Sequence, residues 1–307
     1  MKGVVIKSTG SWYKVLCGAQ RFDCRAKGKI RLEDTKSTNP IAVGDWVEFE
    51  PGNDTQAVIS TIYERTNYII RKSANLSKQS HVIAANVDMA YLVVTLHSPK
   101  TLLSFIDRFL LSAEAYAIPC TILINKCDLY TSEQDCATIQ EWTEIYQKAG
   151  YEIFCISAQT GENIDKLYRL TAEKTVVFAG NSGVGKSSLL NAIAPHAAIK
   201  VADISKSHNK GKHTTTFAEM YELPNAARII DTPGIKSFGL LDFEKEELSH
   251  YFPEIFRTSK HCQFYNCTHT HEPQCAVQQA VQENKIALSR YENYVSCLLD
   301  ENEKHRK

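Results

Sequence analysis

The stretch TVVFAGNSGVGKSS, residues 175–188, constrains this chain more than any other. An apolar run enters Gly180-Asn181-Ser182-Gly183-Val184-Gly185-Lys186-Ser187-Ser188, and the helical run SSLLNAIA leaves it. Gly180, Gly185, Lys186 and Ser187 stand at the GxxxxGK[ST] spacing, in the strand, loop and helix order that a phosphate-binding loop requires. The glycines allow backbone N–H groups to wrap a β-phosphate, and Lys186 reaches the β- and γ-oxygens. Ser187 offers a hydroxyl to Mg²⁺, and the helix N-terminus adds its positive end. Such a loop belongs to a parallel, doubly wound α/β sheet.

Which base accompanies the phosphates is read earlier in the chain. Asn125-Lys126-Cys127-Asp128 closes the buried run CTILIN. A carboxylate at Asp128 can accept both the N1–H and the N2 amino protons of guanine, a pair adenine lacks, while Asn125 braces the loop and Lys126 lies along the base. Leaving that carboxylate unpaired against the wrong base makes the discrimination large. Ser157-Ala158, after the strand-like run at Glu152–Ile156, would supply a backbone N–H for guanine O6.

Asp231-Thr232-Pro233-Gly234 follows another strand-like run and suits Mg²⁺ through water at Asp231 and the γ-phosphate at the Gly234 N–H. Between Lys186 and Asp231, the stretch KSHNKGKHTTTF has the character of a switch. Thr215, with Thr214 as the alternative, is expected to close on Mg²⁺. Ile235 stands where Ras-like enzymes keep the glutamine that orients water, so His213 is the candidate for that work. The competing reading of His213 is contact with RNA or solvent. With the base-reading motifs preceding the phosphate loop, the order is a circular permutation. The switch after Asp231 then runs directly into the C-terminal segment, so nucleotide state is expected to move the tail.

The flanks differ from this central region. Residues 1–72 alternate about five short strand-like runs with turn residues, which suggests a small β-barrel, either an OB-fold or an SH3-like barrel. They carry 12 Lys+Arg against 8 Asp+Glu in a chain of zero formal net charge, whereas residues 242–307 carry 8 against 11. The basic end is therefore the candidate for touching a phosphate backbone. From Val82 onward, buried strands alternate with amphipathic helices, one with Thr101 as its expected N-cap and another ending at Gly150. In the tail, Cys262, Cys267, His269 and Cys275 place three thiolates and an imidazole within fourteen residues, the donor set of a closed structural Zn²⁺ site. His271 competes for the place of His269. A helical pattern follows through Ile286, Tyr291, Tyr294, Val295, Leu298 and Leu299. No apolar run reaches the roughly 18 to 20 residues of a membrane span, and the N-terminus lacks the apolar stretch of a signal peptide, so a cytoplasmic protein with no membrane partner is expected.

Together the permuted order, GNSGVGKSS, KHTTT, DTPG and the Cys-x4-Cys-x-His-x5-Cys tail resemble the ribosome small-subunit-dependent GTPases called RsgA or YjeQ, over essentially the whole chain. The resemblance implies an N-terminal OB-fold (residues 1–72), a permuted G domain (73–240) and a C-terminal zinc domain (241–307). It also implies a factor that binds the small ribosomal subunit and its rRNA late in assembly. Hydrolysis of GTP to GDP would be weak until the ribosome stimulates it, with the switch histidine, His213 here, as the catalytic residue. A monomer is expected.

Overall fold

Alternating apolar and polar residues curl the first strands around one small core. The computed structural model describes residues 1–27, 40–52, 56–72, 80–194, 218–231 and 245–304. Strands β1 (Lys2–Ser8), β2 (Tyr13–Cys17), β3 (Gln20–Ala26), β4 (Trp46–Glu50) and β5 (Gln56–Ile62) turn Val5, Val15, Val47, Phe49 and Ile59 inward. β1 pairs with β2 and β4, β2 with β3, β3 with β5 in parallel, and β5 with β4. This closed 1-2-3-5-4-1 circuit is the OB arrangement, which decides between the two barrels that the sequence leaves open. A hairpin absent from the sequence reading follows, β6 (Tyr68–Lys72) with β7 (Ser80–Ala85), and buries Ile69 and Ala84.

Among the described residues, six strands form the central sheet: β8 (Met89–Val94), β9 (Cys120–Asn125), β10 (Glu152–Ile156), β11 (Thr175–Ala179), β12 (Glu219–Glu222) and β13 (Arg228–Asp231). Their order is β10-β9-β8-β11-β13-β12, parallel throughout except for β12. The near-continuous apolar runs are explained by burial on both faces. Leu92, Val94, Ile122 and Ile124 pack under α1 (Leu103–Ala115) and α2 (Glu133–Ala149). Tyr91, Val93, Leu123 and Val176 pack under α3 (Ile164–Thr171) and α4 (Lys186–Ile193). Gly150 ends α2 at φ 105°, as its sequence position predicts. Thr101, by contrast, is not a helix cap: Leu102 holds that place, and the Thr101 hydroxyl accepts the Thr95 N–H at 3.1 Å.

The barrel joins this sheet edge to edge, with β1 antiparallel to β12 at Lys7 and Glu219 and an ion pair of 3.1 Å between those side chains. Beyond a 3-10 turn at Lys245–Tyr251, the tail supplies α5 (Pro253–Ser259), α6 (Ala276–Gln282) and α7 (Leu288–Lys304). Phe252, Ile255, Val277, Tyr294 and Leu298 make its core, together with Leu111 from α1. Leu299 continues the helical pattern in sequence but stands 57% exposed. Among the described residues, no helix is long and apolar enough to cross a membrane.

Candidate nucleotide site and metal cluster

The carboxyl ends of β9, β10, β11 and β13 open onto one edge of the sheet, where a doubly wound fold binds its ligands. Each end carries one of the motifs. β11 stops at Ala179, and its loop turns through Gly180, Gly183 and Gly185 at φ 134°, 86° and 95° before α4 begins at Lys186. Two of these glycines are also required by packing. A Cβ on Gly180 would run into the Val93 carbonyl oxygen, and one on Gly185 into the Asn125 amide. Lys186 folds back over its loop and donates from Nζ to the carbonyls of Gly180 and Asn181 at 2.6 and 2.9 Å. Val184 is buried, while Asn181, Ser182, Gly183, Ser187 and Ser188 retain exposure along the loop and first helical turn.

The base-reading loop meets the phosphate loop through one buried side chain. Asn125, 2% exposed, donates from Nδ2 to the Val184 carbonyl at 2.8 Å. Two stretches 59 residues apart thereby become one surface. Lys126 holds a left-handed backbone at φ 67°, and its Nζ donates to Ser98 O at 2.6 Å. Asp128 is half-buried, and one carboxylate oxygen accepts from the Ser157 hydroxyl. That hydroxyl also accepts the N–H groups of Gln159 and Thr160 at 3.2 and 3.1 Å, which shapes the turn at Ala158. The Cys127 thiol donates to Glu162 at 3.2 Å; burial first, and then that carboxylate, push its pKa up to about 12, so it stays protonated. Sequence reasoning did not assign a role to the Ser157 side chain, nor to Glu162. Only the parallel register that sets Ile156 beside Asn125 brings them to this edge.

Asp231 is the last residue of β13, whose neighbour β11 leads into the phosphate loop. His213, Thr214, Thr215 and Gly234 lie outside the described residues.

In the tail, Cys262, Cys267, His269 and Cys275 converge, with one ligand atom from each all within 4.8 Å of one another. Sulfur to sulfur distances are 3.7 and 3.9 Å, and His269 Nδ1 lies 3.5 and 3.7 Å from two of the sulfurs. A tetrahedron with Zn–S of about 2.3 Å and Zn–N of about 2.0 Å has edges of about 3.8 and 3.5 Å, so the donor set fits zinc, and a disulfide at about 2.05 Å does not. All ten cysteines are free thiols. Between the two candidate imidazoles, the cluster contains His269, which is buried; His271 is exposed and bonds to Thr270 instead. The His269 backbone is fixed by Tyr291 and Gln278, which donate to its carbonyl at 2.7 and 3.1 Å. Burial lowers the imidazole pKa, keeping it neutral as a metal ligand must be.

Phosphate loop, base-reading loop and Asp231-bearing strand thus share one sheet edge, in a chain order that starts with β8 and reaches the phosphate loop late. These features define a P-loop GTPase with a circularly permuted G domain. The family model described as RsgA GTPase matches residues 62–241, and the RsgA N-terminal domain matches residues 2–59. A protein of Bacteroides fragilis named "Small ribosomal subunit biogenesis GTPase RsgA" is 52% identical over 99% of this chain and 98% of its own length. One of Christiangramia forsetii with the same name is 49% identical over 100% and 98%. Among solved structures, YjeQ from Thermotoga maritima superposes with a TM-score of 0.79 at 36% identity, covering 97% of both chains. YloQ, described as a circularly permuted GTPase, gives 0.77 at 32% identity, covering 100% of this chain and 96% of its own. The chain belongs to the RsgA GTPase family, and its activity is hydrolysis of GTP.

Proposed function

We propose that this GTPase binds the small ribosomal subunit and acts in its late maturation, converting GTP to GDP and phosphate faster when the subunit is present. The observation that carries the reading is full-length similarity, at about half identity, to proteins named for small-subunit biogenesis. The barrel supplies a surface suited to rRNA. On its β2–β3 side, the Arg25 guanidinium stacks on the exposed Trp12 ring at 4.0 Å, offering a cation and a π-face together. Residues 1–72 act as the RNA-binding barrel, 73–240 as the GTPase domain and 241–307 as the zinc domain of a cytoplasmic monomer.

At the nucleotide site, Asp128 reads the guanine N1–H and N2 amino group. Asn125, Lys126 and Cys127 shape that loop, and the backbone at Ser157-Ala158 meets O6. The amides from Gly180 to Ser188 enclose the β-phosphate, and Lys186 stabilises charge on the β- and γ-oxygens as the bond to the γ-phosphorus breaks. Gly234 donates to the γ-phosphate. Ser187, Thr215 and Asp231 would hold Mg²⁺, which neutralises charge on the phosphates when bound. His213 orients the attacking water, since Ile235 cannot. Cys262, Cys267, His269 and Cys275 would hold one Zn²⁺ with no open position, so that metal serves folding.

GTP turnover by the purified chain alone, with small subunits and with large subunits tests the reading. A rise of at least about tenfold with small subunits alone, worth ~1.4 kcal/mol of barrier, is expected. Equal rates under all three conditions would remove the ribosomal assignment.

A further inference from the structure

A tyrosine with no place in the nucleotide motifs sits behind the base-reading loop. Tyr130 is 6% exposed, and its hydroxyl lies between the ends of two neighbouring strands. It donates to the Asn125 carbonyl at 2.9 Å and accepts the Leu96 N–H at 3.1 Å. Asn125 continues the path through Nδ2 to the Val184 carbonyl, so a buried line of hydrogen bonds runs from Leu96 through Tyr130 and Asn125 to the phosphate loop. Leu96, Tyr130, Asn125 and Val184 are all buried, and water has little access to replace a missing link.

The loop that begins at Leu96 touches the same two regions independently. Ser98 O accepts from Lys126 Nζ, and the Pro99 ring stands close enough to the phosphate loop that a Cβ added to Gly183 would meet it at 3.4 Å. Thr95 ties the loop down at both ends, its N–H bonding to the Thr101 hydroxyl and its own hydroxyl to the Pro99 carbonyl. His97 stands edge-on to the Tyr130 ring and bonds to Asp135 in the first turn of α2. Base-reading loop, phosphate loop and the loop after β8 are therefore held as one body, with Tyr130 bonded to backbone both at the end of β9 and in the loop after β8.

We propose that Tyr130 is a positioning residue for guanine nucleotides: its hydroxyl sets the base-reading loop against the loop after β8, and through Asn125 against the phosphate loop. It touches no substrate. Its removal therefore weakens nucleotide binding without slowing the chemical step once GTP is bound. This inference rests on the reading of Asn125, Asp128 and Lys186 as the nucleotide site.

The test is Tyr130→Phe in the full chain. The ring stays in the core, while the Leu96 N–H and the Asn125 carbonyl lose their partner. Loss of a buried hydrogen bond on this scale weakens binding by about tenfold. The expected result is a KM for GTP and a Kd for GDP each raised about tenfold, with kcat at saturating GTP within about twofold of the parent's. Hydrogen exchange at the Leu96 amide, measured on the same folded sample, speeds up. A KM within about twofold of the parent's, or a loss carried by kcat, overturns the proposal. The parent is assayed beside it with GTP and ATP. If the parent itself does not prefer GTP, the reading of the site fails; if it does and the variant matches it, only the role of Tyr130 fails.

Discussion

The carboxyl edge of the central sheet and the flank where α1 and α2 meet the tail both gather polar side chains, yet they use them in opposite ways. At the edge, Lys186, Asp128 and Ser187 bond locally or stay partly exposed, and Asn125 Oδ1 is buried with no partner among the described residues. At the flank, Arg290 is 1% exposed and is shared by two carboxylates, with Glu254 on α5 at 2.7 and 3.1 Å and Asp107 on α1 at 2.9 Å. Asp107 also accepts from Tyr146 of α2 at 2.9 Å and from Asn293 of α7. Burial works against the Arg290 charge, but Glu254 and Asp107 hold its pKa above the ordinary arginine value. The edge leaves hydrogen-bonding capacity for a ligand, whereas the flank uses it internally. The expectation that nucleotide state moves the tail is thereby narrowed: a tail moving by itself would have to break this desolvated network, so any such motion would have to carry α1 and α2 with it.

That contrast predicts separable failures. Lys186→Ala should lower kcat/KM for GTP by about a thousandfold, with stability within about 0.5 kcal/mol of the parent's in urea unfolding. A variant that instead unfolds would show the edge to be structural as well. Arg290→Met should do the reverse, costing about 3–5 kcal/mol because it strands two buried carboxylates, with GTP KM preserved in the folded fraction. Replacing Asp107 and Glu254 by Leu in the same chain should recover most of that loss; failure to recover would mean that packing, and not desolvation, sets the junction.

Cys275→Ser should lower zinc affinity by at least about a hundredfold, read by metal content after dialysis, while turnover in the absence of ribosomes stays near the parent's. The smallest effect concerns Glu114 on α1. Burial raises its pKa, partly offset by the bond from Tyr151 at 2.9 Å. A raised folded pKa means that the contribution of the protonated form is present below the unfolded value and is lost as pH rises through the folded one. Glu114→Gln should flatten the stability profile just above pH ~4.5.

The difference between the two regions also explains what could be read from residues alone. The phosphate loop and base-reading loop are local in sequence, each tied to the strand before it, so strand ends and spacing were enough to place them at one edge. The four residues of the Cys/His cluster fall within fourteen residues, although choosing His269 over His271 needed burial. The OB circuit became decidable only with the parallel β3–β5 pairing, a register no single strand encodes. Arg290 and Asp107 are 183 residues apart, and neither lies in a motif. Thr101 was misread because a hydroxyl before a helix can serve the preceding loop as well as the helix.

Asp128, from the early half of the chain, is expected to read the base in the same site where Lys186, from the later half, holds the phosphates. Turnover of GTP and xanthosine triphosphate by the parent and by Asp128→Asn tests it most directly. Xanthine carries a carbonyl where guanine carries its amino group, so a carboxylate favours guanine and an amide can donate to xanthine. The parent should prefer GTP by at least about a hundredfold in kcat/KM, and Asp128→Asn should reverse that preference. A variant that keeps the parent's preference for GTP would contradict this role of Asp128, because the base would then be read elsewhere.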